Sequence, residues 1–109
     1  MKTFNDIQFI ENEVIPMSNG HLTLNNSTLG LYDISVSYGH MINGAGPNKN
    51  QYEIALKNNN DSFIQLSDYD DIVGFVSSEE ITEFMKLIQT TKKKVEISEH
   101  FRENFSDED

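Results

Sequence analysis

The side chains best suited to proton transfer or metal ligation near neutral pH are His21, His40 and His100, and they stand far apart in the chain. None has the i, i+4 or short-loop spacing of a zinc pair, so no metal site is assigned. Asp68, Asp70 and Asp71 place three carboxylates in the five residues Ser67-Asp68-Tyr69-Asp70-Asp71, which invites a calcium reading. A calcium loop needs glycine at its sixth position, and Val73 stands there. Paired carboxylates could also act as general acid and base, but hydrophilic turns give them no burial to shift their pKa values. The chain has no cysteine, hence no disulfide, thiolate ligand or thiol nucleophile. The expectation is a protein without catalytic residues or cofactor, and not an enzyme.

Glycine-rich phosphate cradles come next. There is no G-x-S-x-G, no P-loop and no G-x-G-x-x-G; Gly44-Ala45-Gly46-Pro47 has two glycines but no following helix to turn its N-terminus toward a phosphate. Gly39 to Asn50 holds three glycines, one proline and three asparagines in 12 residues, the most permissive backbone in the chain. A loop of that size in a small domain is either functional or disordered. If functional, Gly39, His40, Asn43, Gly44 and Gly46 are its candidate contacts with a ligand or partner.

The acidic excess carries more information. Eighteen acidic against eight basic side chains give a formal charge of −10, which argues against nucleic acid or an anionic membrane as direct partner. Between residues 61 and 91, Asp61, Asp68, Asp70, Asp71, Glu79, Glu80 and Glu83 face the single Lys86, a local charge of −6. One reading is a solubilising face. The other is a surface for a basic partner, imitating the spacing of phosphates, with Asp68, Asp70, Asp71, Glu79, Glu80 and Glu83 as its contacts.

The elements that must position these groups centre on residues 70 to 89. Ser77 and Glu80 form a capping box, and Val76 and Ile81 the matching hydrophobic staple. Ile81, Phe84, Met85 and Ile88 fall at i, i+3, i+4 and i+7, which predicts a helix over about 77–91 with one apolar stripe. Lys92-Lys93-Lys94 puts cations at its negative end. Ile72 to Val76 reads as a short buried strand feeding it. Tyr32, Ile34, Val36 and Tyr38 alternate strictly with polar residues and predict a strand from Leu29 to Tyr38; Tyr52, Ile54 and Leu56 do the same from Gln51 to Lys57. Asn58 to Asp61 is expected to turn a hairpin, with Phe63 to Leu66 returning. Nearer the start, Thr3 to Ile10 reads as an edge strand, Asn19-Gly20 as a turn, and His21 to Leu24 as a strand. Ile97, Phe101 and Phe105 suggest a short second helix from about Ser98.

At 109 residues, this amounts to one α+β domain over 1–105 with an acidic tail, 106–109. The sheet is expected to be mainly antiparallel, with four to six strands under the 77–91 helix. The N-terminus lacks an uninterrupted apolar core, and no stretch nears the ~20 apolar residues of a membrane span, so neither secretory signal nor membrane partner is expected.

Several segments taken together, Ile34-Ser35-Val36, Tyr38-Gly39, Tyr52-Glu53-Ile54-Ala55-Leu56, and Asp70 through Val76 leading into Glu79-Glu80-Ile81-Thr82-Glu83, resemble a set of small bacteriophage-encoded proteins, mostly uncharacterised. The likeness spans about residues 34–90. Its motifs are structural and transfer no catalytic residue. What the resemblance implies is a viral origin and action in the host bacterial cytoplasm. The leading expectation is a protein that binds and inhibits a basic host factor, a defence nuclease or a transcription or replication component, through its acidic surface. The alternatives are a sponge for a small signalling nucleotide, closed by the glycine-rich loop, and a phage structural or assembly protein.

Overall fold

Strict alternation builds the centre of the molecule. In the computed structural model, which describes residues 1–40 and 42–102, Tyr32, Ile34 and Val36 are buried on one side of a strand whose other side faces solvent. The fold is α+β: five strands, β1 (Ile10–Glu11), β2 (Met17–Asn26), β3 (Gly30–Gly39), β4 (Tyr52–Asn58) and β5 (Ile72–Val76), form an antiparallel sheet in chain order. Helices α1 (Ser78–Thr90) and α2 (Lys94–Glu99) accompany it. Met41, Phe105 and the acidic tail fall outside the described residues.

The register carries one apolar face across the sheet, with Leu24 opposite Tyr32, Ile34 opposite Leu56 and Val36 opposite Ile54. Onto that face α1 lays its stripe, and Ile81, Phe84, Met85 and Ile88 are all fully buried. The capping box forms as expected: the Glu80 amide donates to Ser77 Oγ at 3.1 Å and the Ser77 amide to Glu80 Oε1 at 2.9 Å. Phe101 meets Phe84 edge-on at 4.7 Å between centroids and closes the core behind α2.

Several expectations are corrected. The first residues form a 3₁₀ turn, Phe4–Asp6, and only Ile10–Glu11 pair as a strand. The start of the chain instead runs along α1, where the Phe4 amide donates to Thr82 Oγ1 and Gln89 exchanges two hydrogen bonds with Lys2. Asn19-Gly20 does not turn; both lie within the ten-residue β2. A Cβ on Gly20 would stand 2.9 Å from the Gln8 carbonyl, so glycine is needed there for a close crossing of backbone. Residues 63–66 do not form a strand but contribute a single bridge, Lys57 to Phe63. β5 is no buried strand: it is the sheet's edge, with Ile72 and Phe75 exposed. The second helix starts four residues early, at Lys94, so that the last of the three lysines expected beyond α1 opens α2.

Candidate functional site

β5 decides how the acidic residues are arranged. Its five residues, four steps of about 3.3 Å, separate its two ends by about 13 Å at most. Asp68, Asp70 and Asp71 therefore sit before one end, whereas Glu79 and Glu80 sit beyond the other in the first turn of α1 and Glu83 follows on the exposed side of the helix. The sequence run of carboxylates becomes two groups at either end of a strand. The first is held by a turn in which the Ser67 amide and hydroxyl both donate to the Asp70 carbonyl, and Ser67 Oγ accepts from the Asp70 amide at 3.0 Å. Asp68 lies 3.8 Å from Arg102 Nε. Asp70, Asp71, Glu79, Glu80 and Glu83 face no cation at ion-pair distance among the described residues.

Between the two groups β5 displays apolar side chains, Phe75 62% exposed and Ile72 40%, and Tyr69, inside the first group, is 88% exposed. Sequence pattern hides them, because alternation assigns Ile72 and Phe75 to a buried strand. A bulge between the pairs at Tyr52 and Ile54 shifts the register of β5 and turns Phe75 outward. Phe75 has φ of +57°, a left-handed conformation that a bulky residue rarely adopts.

The glycine-rich loop lies against β4 and β5 and is closely packed. Its backbone donors are already in use: the Gly39 amide donates to the Gly44 carbonyl, His40 to Pro16, Gly44 to Ile42, and Gly46 to Gln51. The Asn43 amide donates to Glu53 Oε2 and its carbonyl accepts from Phe75 at 2.7 Å. A Cβ on Gly44 would stand 2.7 Å from Tyr52 Cα, and one on Gly46 would run into the Tyr38 ring. The glycines of this loop serve close packing, with positive φ at Gly39 and Gly46. Of its five expected contacts, Gly44 and Gly46 are buried and His40 and Asn43 are exposed. Tyr38 and Tyr52, beneath the loop, join Phe4 and Phe9 in an aromatic cluster with centroids 4.9 to 5.9 Å apart. Burial there raises the Tyr52 pKa, with smaller contributions from Tyr38 and Glu79.

The loop also feeds the acidic end of the edge. Asn50, at φ +51°, accepts the Ser78 amide on Oδ1 at 2.9 Å and donates from Nδ2 to Glu79 Oε1 at 2.7 Å. The Asn50 bond, followed by Glu79's own backbone, holds that carboxyl below its usual range. The first turn of α1 is thus capped from within. No group of three or more His, Asp or Glu among the described residues is placed to hold a metal ion. No helix among them is long and apolar enough to cross a membrane. Comparison with protein-family models, curated proteins and solved structures finds no match.

Proposed function

We propose that this chain is a non-enzymatic, phage-encoded protein that binds and inhibits a basic host protein in the bacterial cytoplasm, through the β5 edge and its flanking carboxylates. The partner class is a nucleic-acid-binding protein, such as a defence nuclease or a component of transcription or replication. One observation carries the reading: exposed Ile72 and Phe75 lie between two groups of carboxylates, with exposed Tyr69 inside the first, and of these carboxylates Asp68 alone has a cation at ion-pair distance among the described residues. Apolar anchors inside a charged rim are the anatomy of a protein interface. Phe75 supports the reading further, since strained backbone carrying an exposed aromatic is a cost the fold itself does not require. The resemblance to phage proteins supports the setting. The nucleotide sponge has less support, because most described amides of the loop that would close over its ligand are bonded within the protein.

The test uses the tagged chain as bait in a bacterial lysate, followed by association kinetics with the captured protein across salt concentrations. Neutralising Asp70, Asp71, Glu79 and Glu83 to their amides should slow association and flatten its salt dependence, because charge steering acts on the on-rate. Phe75→Asn, which tolerates the left-handed backbone, should mainly speed dissociation. A quadruple variant that associates as fast and as salt-sensitively as the parent would sink the proposal.

A further inference from the structure

Away from the acidic edge, the surface opens into a cleft of about 420 Å³ between residues 58–60 and α2. That volume suits a small ligand. Leu29, Tyr32 and Ile97 form its apolar floor, and Asn59, Gln65 and Lys94 stand on its rim. Three other surface clefts each contain carboxylates, Glu11 and Glu13 in one and Asp33 with or without Lys57 beside Asp61 in the others. This cleft is lined by none, in a chain with 18 acidic residues. Its cation Lys94 is exposed, makes no ion pair among the described residues, and continues the run Lys92-Lys93.

Tyr32 is 4% exposed and lines the cleft. Burial raises its pKa still further above the neutral range, in which a phenol is protonated and able to donate in any case.

The geometry points to a binding site for a small organic anion, its flat apolar body on Leu29, Tyr32 and Ile97 and its charged group held at the rim by Lys94. Side-chain amides and the Tyr32 hydroxyl supply donors for polar atoms on that body. The protein's net negative charge opposes any anion at long range, but screening limits that field to about 8 Å at physiological salt. The cleft's lining presents lysine and no carboxylate; Asp61, paired with Lys57, and Glu96, which accepts from the Thr91 hydroxyl, are not part of the lining. The site is separate from the β5 edge, so either can fail alone.

1-Naphthalenesulfonate titrated into the ¹⁵N-labelled full chain tests it. Saturable shifts are expected at residues 29–32, 58–65 and 94–98. Lys94→Gln, at an exposed position, should weaken binding about two- to five-fold, the size of a partly solvated ion pair, and leave the melting temperature unchanged. The neutral 1-naphthalenemethanol should lose a similar factor against the parent. Shifts centred elsewhere, no saturation at millimolar ligand, or equal binding of sulfonate and alcohol would overturn the assignment.

Discussion

The two ends of α1 are each held by an asparagine from outside the helix, and the two are not equivalent. Asn26, the last residue of β2, is 3% exposed and meets four backbone partners: its Nδ2 donates to the Ile88 and Thr91 carbonyls at 2.8 and 2.7 Å, and its Oδ1 accepts from Thr28 and Leu29. Asn50, at the other end, is half-buried, left-handed, and bonded to Ser78 and Glu79. The chemistry is the same, but burial decides its weight. Breaking a bond in the interior leaves backbone groups that water cannot reach, whereas breaking one at the surface returns them to solvent. The C-terminal end of α1 is therefore fixed to the sheet, and the N-terminal end, beside the proposed partner surface, is held by a loop.

The widest gap between the two ends is expected from Asn26→Ala. Four backbone groups lose their partner at once, at roughly 1 kcal/mol or more each, for a total of about 3–5 kcal/mol. Against an expected stability of about 5–10 kcal/mol that nears unfolding. Urea denaturation measures it, and a loss under 1 kcal/mol would mean the sheet does not hold that end. Gly46→Ala should come next, at about 2–3 kcal/mol, because its φ of +93° and the Tyr38 ring both oppose a Cβ. Amides of Gly44, Gly46 and Gln51 should resist hydrogen exchange in the parent and lose protection in this variant, while a freely exchanging parent loop would contradict the packing described above. Ser77→Ala should cost about 1 kcal/mol through loss of the cap, read from the same urea curves.

These contrasts show which features the sequence displays and which it hides. The stripe, cap and staple of α1 are local, fixed by residues within two turns of one another, and the alternation of β3 and β4 is equally local. Asn26 reads only as half of an Asn-Asn pair suited to a turn, since its partners Ile88 and Thr91 lie more than 60 residues away. Asn19 misleads in the opposite sense: its side chain spans the sheet to Ser35 and Ser37, at 3.0 and 2.6 Å, which favours continuation of β2 over a turn. For the candidate site, composition reveals the carboxylates but not their separation, which follows from the length of β5. The exposure of Phe75 depends on a bulge that periodicity cannot register. The loop shows its freedom through glycine, and only tertiary contacts show that this freedom is used for packing.

The smallest effect is the most specific to the N-terminal end. Glu79 is exposed, and the bond from Asn50 is the first cause of its lowered pKa. A carboxyl whose folded pKa is depressed adds stability above its unfolded pKa, and that increment disappears as the pH falls through the folded value. Asn50→Ala removes the principal cause of the depression. Its loss of stability relative to the parent should therefore be greatest near neutral pH and should narrow on acidification. It should not close completely, because Asn50 Oδ1 also accepts the Ser78 amide, and that bond does not titrate. Glu79→Gln serves as the control, since in that background the cost of Asn50→Ala should no longer change with pH. Urea midpoints for the four proteins across the acid range make the measurement, and a cost of Asn50→Ala that stays constant with pH in the parent background would show that the Asn50–Glu79 bond is not formed in solution.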